Sequence, residues 1–157
     1  MSIYEEIKAD HARHRELLDK IAATTGDSEE RQTAWKEFFY DVKSHAAAEE
    51  ETFYSPLMSK TWGQDSARHS VEEHAEMDDL MEELQEMDMS SSAWLTKFKQ
   101  LKHDYEHHME EEEEDIFSRA KEVIPDSELK GYGEKFRTRK EKELKLVDKK
   151  REDHLED

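Results

Sequence analysis

Apolar residues recur every three or four positions along most of this chain, which is the period of an amphipathic helix. The pattern predicts four helices: residues 3–23, residues from 27 or 28 to a break bracketed by Pro56 and Gly63, residues 66–87, and residues from the serines at 90–92 to just before Pro125. Asp27 and Glu30 form a candidate capping box at the start of the second helix. No segment alternates with period two, so we expect no sheet.

Four long helices joined by short loops predict an all-α fold, namely an up-down-up-down four-helix bundle with each apolar stripe facing the bundle axis. A fifth helical stretch, over about residues 127–152, is dense in Lys, Arg and Glu and has a thin apolar face of Leu129, Phe136 and Leu144. We therefore expect a four-helix bundle over residues 1–125 and a charged helical extension over residues 126–157.

Ionisable residues interrupt all four apolar stripes at matching depths. They are His11 and His14 on the first helix, His45 and Glu49 on the second, His74 on the third, and His108 and Glu112 on the fourth. Uncompensated burial of so many ionisable groups in a bundle core is strongly unfavourable. A bound metal ion compensates for that burial, because it takes neutral imidazoles and ionised carboxylates as ligands.

The second and fourth helices share an internal repeat that contains two of these histidines. Residues 45–55 align with residues 108–118, so that a His, three Glu, an apolar residue, an aromatic residue and a Ser coincide. In each copy the His and the first Glu are four positions apart and share a helix face. Two such pairs, with single histidines from the other two helices, predict two adjacent metal ions bridged by carboxylates.

Each part of this pattern also has an ordinary explanation. A single His on an apolar stripe is more often a core residue, and a single His-x3-Glu pair means little in so acidic a chain. Four helices that each place a His on the stripe are a stronger signal. The histidines off the stripes are expected to be solvated: His69, His103, His107 and His154. His14 remains a second candidate on the first helix.

The donor set limits the kind of metal. Imidazole and carboxylate without thiolate suit iron, manganese or zinc, and the chain has no cysteine. A ferritin-like di-iron site uses Glu-x-x-His. The residues three positions before the histidines of the second, third and fourth helices are instead Val42, Val71 and Tyr105.

Composition excludes several other classes of protein. The 157 residues include 24 Lys and Arg against 42 Asp and Glu, a formal net charge of −18, which disfavours nucleic acid and anionic membrane surfaces as partners. The absence of cysteine excludes disulfide scaffolds, iron–sulfur clusters and cysteine nucleophiles. No apolar run is long enough to span a membrane, and residues 1–14 contain no apolar signal segment, so we expect a cytoplasmic protein.

Several motifs together resemble a known family. They are Asp10-His11, His45-x3-Glu49-Glu50 with Phe53-Tyr54-x-Pro56, Glu73-His74, and His108-x3-Glu112-Glu113 with Ile116-Phe117. Over roughly residues 3–120 the chain resembles the bacterial hemerythrin-like, or HHE cation-binding, domain. The resemblance implies a four-helix bundle with a non-haem di-iron centre, in which two glutamates and an oxo or hydroxo group bridge the irons.

The resemblance also implies which residues hold the two irons. The family motifs fall on His11, His45, Glu49, His74, His108 and Glu112. The Asp10-His11 pair favours His11 over His14. The oxygen-carrying hemerythrins have a second His where this chain has Asp78, and His-x4-Asp where it has His108-x3-Glu112. The pattern is nearer to hemerythrin-like proteins linked to nitric oxide, peroxide or iron-related stress.

Two functions from different classes follow. The first is a di-iron protein that binds or reacts with O2, peroxide or NO, with Phe53, Tyr105 and Ile116 near the site. The hydroxyl of Tyr105 either donates to a bound oxygen species or lies at the edge of the core. The second is an iron or oxygen sensor, or an iron-handling module without turnover, with residues 127–157 as its output element. A metal-free bundle for protein contacts leaves buried Glu49 and Glu112 unexplained.

The two glutamates also give an expectation about pKa. Without metal, Glu49 and Glu112 would face each other across a partly apolar core. Like charge and burial would then raise the pKa of both carboxyl groups above the ordinary value of about 4.3. Such a rise would destabilise the metal-free protein at neutral pH.

Overall fold

The structure is a computed structural model that describes the backbone of residues 1–156 and the side chains of residues 1–146. All regular structure in this part of the chain is helical, which confirms the predicted all-α class. The helices are α1 (Ile3–Ala22), α2 (Glu29–Glu49), α3 (Ser55–Met58), α4 (Gln64–Glu86), α5 (Ser92–Glu111), α6 (Phe117–Val123) and α7 (Asp126–Glu156). No helix among the described residues is long and apolar enough to cross a membrane.

Two π-helical turns join these helices into longer rods. Glu50–Tyr54 connects α2 to α3, and Glu112–Ile116 connects α5 to α6. A π-turn accommodates one extra residue and shifts the following side chains around the helix axis. In the internal repeat, the second turn begins one residue earlier than the first. The shift leaves Tyr54 and Phe117 without exposed surface, so that the aromatic residue of each copy also faces the interior.

The start of α2 differs from the sequence prediction. Ser28 is the N-cap, and its hydroxyl accepts a hydrogen bond from the backbone N–H of Arg31. The predicted capping box of Asp27 and Glu30 is wrong, because Asp27 precedes the cap and its carboxylate accepts from the Gln32 side chain instead. The displacement is one residue and leaves the buried face of α2 unchanged.

The core consists of two apolar clusters separated by a polar layer. One cluster includes Leu18, Phe38 and Trp94, and the other includes Ile7 and Phe117. The ionisable residues of the four stripes lie between the two clusters, along α1, α2, α4, α5 and the π-turn that follows α5. Close packing on both sides restricts how far these side chains can move. The fold thus holds a layer of buried polar groups in a defined arrangement.

Helix α7 packs along α1 and α2. Of its predicted apolar face, Phe136 is buried, whereas Leu129 and Leu144 are half-buried. The helix also passes close to the start of the chain, because a Cβ atom at Gly133 would lie 2.5 Å from the carbonyl oxygen of Met1. Glycine at this position therefore permits the close approach of α7 to α1.

Candidate metal centre

The polar layer contains two groups of residues that could each hold a cation, and the two groups share both of their carboxylates. The first group is His11, His45, Glu49 and Glu112, and the second is Glu49, His74, His108 and Glu112. Within each group the candidate ligand atoms all lie within 4.8 Å of one another, and every member is buried. The structure therefore brings together all six residues named from the sequence.

The two glutamates lie between the histidine pairs. The Nε2 atoms approach them as follows: His45 to Glu49 Oε2 at 3.2 Å, His74 to Glu49 Oε1 at 3.2 Å, His11 to Glu112 Oε1 at 3.1 Å, and His108 to Glu112 Oε2 at 3.7 Å. Each glutamate thus turns one oxygen towards a histidine of the first group and the other oxygen towards a histidine of the second. This is the arrangement that a carboxylate needs to bridge two cations.

Several of these atoms have no hydrogen-bond partner among the described residues, although they are fully buried. They are His11 Nε2, both oxygens of Glu49, and Glu112 Oε1. Buried polar atoms are nearly always hydrogen-bonded, because an unsatisfied one costs about 1–3 kcal/mol. Donor atoms that converge on a cation satisfy the same requirement without hydrogen bonds to each other. The donor set of this layer therefore fits a pair of metal ions.

The other ring nitrogen of each histidine faces an outer carboxylate. The Nδ1 contacts are His11 with Glu113 at 3.1 Å, His45 with Asp10 at 2.7 Å, His74 with Glu50 at 2.9 Å, and His108 with Glu73 at 3.0 Å. An Nδ1–H that donates to a carboxylate fixes the tautomer and leaves the Nε2 lone pair free for a metal. All four histidines are thus oriented as ligands.

The contact between His74 and His108 supports this orientation. Their Nε2 atoms lie 3.1 Å apart, and both Nδ1 atoms face carboxylates. Two neutral imidazoles that both donate through Nδ1 would direct two lone pairs at each other. Only a proton or a cation at the Nε2 side removes that repulsion.

The pKa shifts follow from these contacts. Burial disfavours the charged imidazolium of His45, but Glu49 and Asp10 outweigh it and raise the pKa of His45 to about 9. Burial likewise opposes the charge on His74, and Glu49 and Glu50 raise its pKa to about 10. The carboxyl of Glu49 is fully buried, which by itself raises its pKa, but His45 and His74 hold that pKa well below the usual range. The expected rise is wrong for Glu49, because the two histidines outweigh its burial.

His14, the second candidate on the first helix, does not join either group. Its Nδ1 lies 2.7 Å from the hydroxyl of Tyr105 and its Nε2 lies 2.5 Å from Asp41, so both ring nitrogens are engaged. Burial lowers the pKa of His14 to about 4 despite Asp41. Tyr105 therefore directs its hydroxyl at His14. Asp78 is half-exposed and pairs with Lys43 at 3.2 Å, outside the polar layer.

The histidines expected to be solvated lie at the surface where their side chains are described. His69, His103 and His107 have side chains that are 53%, 84% and 69% exposed. His154 lies outside the residues whose side chains the structure describes. Phe53 and Ile116, which were expected near the site, belong to the apolar cluster that contains Phe117.

The hydroxyl group of Tyr54 also lies at the centre, and it was not predicted from the sequence. This hydroxyl donates a hydrogen bond to Glu112, and burial raises the pKa of Tyr54 well above its usual value. Tyr54 is five positions after Glu49 and would leave the inner face of a regular α-helix. The π-turn returns it to that face. The sequence did contain a signal for an inward-facing residue at this position, because an aromatic residue follows the apolar residue in both copies of the repeat.

A groove of about 420 Å³ gives access to this layer from the surface between α2 and α4. His45, His74 and Tyr105 line its inner part. Small side chains, among them Ala46 and Ala75, also line this groove and leave its space unfilled. A small molecule could therefore reach one side of the centre without a change in the helix packing.

The all-helical fold and the buried layer of His and Glu together are typical of helical proteins that bind cations. The chain belongs to the family described as the Hemerythrin HHE cation binding domain, whose model matches residues 2–120. The crystal structure of a hemerythrin HHE cation-binding domain-containing protein from Mycobacterium kansasii is similar to it, with 27% identity and a TM-score of 0.82. The match covers 93% of this chain and 89% of that one.

The chain is also similar to a DNA nickase from Nostoc sp., with 23% identity over 142 residues. That match covers 90% of this chain but only 40% of the nickase. The chain thus spans less than half the length of this relative.

Proposed function

We propose that this protein is a non-haem di-iron protein that binds or reacts with a small oxidant or diatomic molecule, namely O2, peroxide or NO. The proposed ligands of the two irons are His11, His45, Glu49, His74, His108 and Glu112. The observation that carries the proposal is that the two ligand groups share both carboxylates, each of which spans a histidine of either group. Iron suits this imidazole and carboxylate donor set.

We also propose the finer architecture. Residues 1–125 would form an up-down-up-down four-helix bundle, and residues 126–157 would form a charged helical extension outside it. In support, α1, α2, α4 and α5 each contribute at least one histidine to the polar layer. The extension contributes no residue to either ligand group within the described part of the chain.

The residues around the centre have distinct roles in this proposal. When bound, an iron pair supplies electrons and open coordination positions to a small molecule. The outer carboxylates hold the histidines in one tautomer, and the Tyr54 hydroxyl holds the orientation of Glu112. The groove between α2 and α4 admits the small molecule beside His45 and His74. The two apolar clusters exclude bulk water from the ends of the layer.

A mixing experiment tests the proposed reactivity. The iron-loaded protein is mixed with peroxide, with NO and with O2, and its visible spectrum and the remaining reactant are followed. We expect a spectral change with at least one of the three, and it should be absent in Glu49→Gln. A spectrum that none of the three alters would contradict the proposed function.

A second candidate function, iron or oxygen sensing without turnover, is favoured by the contact of α7 with the centre. The ring of Phe136 lies 5.4 Å from that of His45, centroid to centroid. In a sensor, a change at the irons would alter the packing of α7. Limited proteolysis of residues 127–157 distinguishes the functions: a large dependence on iron favours the sensor, and rapid consumption of peroxide or NO favours the enzyme.

Nucleic acid is not among the proposed partners, despite the similarity to a DNA nickase. The formal net charge of −18 repels a polyanion. The chain also spans only 40% of that relative. We further propose that the protein is cytoplasmic.

A further inference from the structure

Helix α7 reaches the candidate centre although it lies beyond residue 120, where the match to the family ends. Its Phe136 is 1% exposed and packs edge-on against the imidazole of His45. One turn further along, Lys140 is 9% exposed, which is unusual for a lysine. Phe136 thus contacts His45 itself, and Lys140 contacts Asp10, which is hydrogen-bonded to His45.

The ammonium group of Lys140 lies between two carboxylates. Its Nζ is 2.9 Å from Asp10 Oδ1, 3.0 Å from Asp41 Oδ1 and 3.2 Å from Asp41 Oδ2. Arg13 contacts the same two carboxylates, at 3.0 Å from Asp10 and 2.7 Å from Asp41, but its side chain is 42% exposed. Lys140 is therefore the more buried of the two cations, and a buried charge of this kind is retained only when it is paired.

Asp10 connects Lys140 to the centre. One carboxylate oxygen, Oδ1, accepts from Lys140, and the other, Oδ2, accepts from Nδ1 of His45 at 2.7 Å. The ammonium thus restricts the rotation of the carboxylate that in turn restricts the imidazole. The imidazole then presents Nε2 to Glu49 at 3.2 Å.

We propose that α7 is part of the metal centre and that Lys140 is a positioning residue, which holds Asp10 and, through Asp10, orients His45 as a ligand. The inference rests on the proposed function in one respect, namely that a cation binds at His45. It also predicts that the two bound metal ions depend on α7 to different degrees. None of the described hydrogen bonds of His74 or His108 involves α7, so only the cation at His11 and His45 should depend on Lys140.

Stepwise iron binding tests this inference on the full chain. Fe²⁺ is titrated anaerobically against a competing chelator in the wild type and in Lys140→Met, which keeps the volume of the side chain and removes its charge. We expect one of the two binding steps to lose about tenfold in affinity, as when a group that supports a metal ligand is removed, and the other step to change little.

The matched control is Arg137→Met. Arg137 is a cation of the same helix that pairs with Glu6 of α1, and it contacts neither Asp10 nor His45. If Lys140 only fastens α7 to the bundle, both variants should lower the melting temperature and leave both iron affinities unchanged. That result would overturn the inference.

A double-mutant cycle shows whether Lys140 acts through Asp10. Asp10→Asn alone should weaken the same binding step, and adding Lys140→Met to it should cause little further loss, because the two residues act in series. Additive losses of affinity would overturn the inference.

A measurement without metal separates failure of this inference from failure of the proposed function. The Nδ1–H proton of His45 is observed by NMR in the metal-free wild type and in Lys140→Met. We expect the hydrogen-bonded resonance to shift or broaden in the variant but not in Arg137→Met. An unchanged resonance would overturn the inference. A resonance that shifts in Lys140→Met, together with a wild type that binds no iron, would overturn only the proposed function.

Discussion

The residues beside the candidate ligands in the sequence have a shared role in the structure. Asp10, Glu50, Glu73 and Glu113 each precede or follow a candidate ligand, and each accepts from Nδ1 of a histidine on another helix. A doublet such as Asp10-His11 therefore supplies a ligand to one cation and a support to a neighbouring ligand. Substitution of either member should disturb the centre, but in different ways.

The shared position of Glu49 gives a first prediction. Glu49→Gln removes a carboxylate that faces both histidine pairs, so we expect loss of both irons. His11→Ala removes a ligand of the first group only, and we expect about one iron to remain. Elemental analysis of the two variants checks this, with the exposed His103→Ala as control. Two irons in Glu49→Gln would contradict the bridging role.

A second prediction concerns the two histidines of α1. His14→Ala should keep both irons, because His14 belongs to neither ligand group. It should still lower the free energy of unfolding by about 1–3 kcal/mol, since it removes the hydrogen-bond partner of the buried Tyr105 hydroxyl and one of the partners of Asp41. Iron content and chemical denaturation measure the two effects. Loss of iron in His14→Ala with retention in His11→Ala would show that His14 is the ligand.

Two tyrosines provide a matched pair for a third prediction. Tyr54→Phe removes the hydroxyl that donates to Glu112, so we expect iron affinity to fall up to about tenfold and the visible spectrum to shift. Tyr105→Phe removes a hydroxyl that contacts His14, and we expect no change in affinity. Chelator competition measures both variants. Equal effects would mean that Tyr54 has no special role.

At the scale of single residues, the sequence was sufficient to find side chains on the apolar stripes. The helical phase selected seven residues, and the structure brings six of them together: His11, His45, Glu49, His74, His108 and Glu112. The seventh, His14, joins neither group. The outer carboxylates were not predicted, because in a chain with 42 acidic residues no helical phase separates a supporting carboxylate from a solvated one. Only their contacts across helices reveal them.

At the scale of elements, the long helices were predictable but the π-turns were not. The predicted first helix, residues 3–23, is observed as Ile3–Ala22, and the third, residues 66–87, as Gln64–Glu86. In both helices the buried residues recur regularly, every three or four positions. The π-turns Glu50–Tyr54 and Glu112–Ile116 depend on the packing of neighbouring helices and have no local propensity signal. Both turns lie beside a shared carboxylate, because the first begins directly after Glu49 and the second begins at Glu112.

At the scale of the whole molecule, the centre is a polar layer between two apolar clusters, and its stability depends on what balances the charges of that layer. The high pKa values of His45 and His74 mean that the metal-free folded state binds protons more tightly than the unfolded state. Both histidines have an ordinary pKa of about 6.5. Their contribution to stability is therefore complete below about pH 6.5 and is lost as the pH rises through 9 and 10.

This sign gives a fourth prediction. The metal-free protein should lose several kcal/mol of unfolding free energy between about pH 6.5 and 10, because His45 and His74 release their protons in the folded state. The lowered pKa of Glu49 acts only in acid, where its contribution is lost below about pH 4.5. In the iron-loaded protein a cation takes the place of those protons, so its stability should hold over the same range and fall towards acid.

Denaturation curves of the two forms at several pH values from 6 to 10 measure these slopes. The metal-free form should weaken with rising pH, and the iron-loaded form should not. Parallel slopes for the two forms would contradict the view that a cation replaces protons at these histidines.

The central claim is that Glu49 and Glu112 bridge two irons in one chain, and elemental analysis combined with Mössbauer spectroscopy of the iron-reconstituted protein tests it most directly. The account predicts two irons per chain in a magnetically coupled pair. One iron per chain, two uncoupled irons, or zinc that persists as the only metal after iron reconstitution would contradict it.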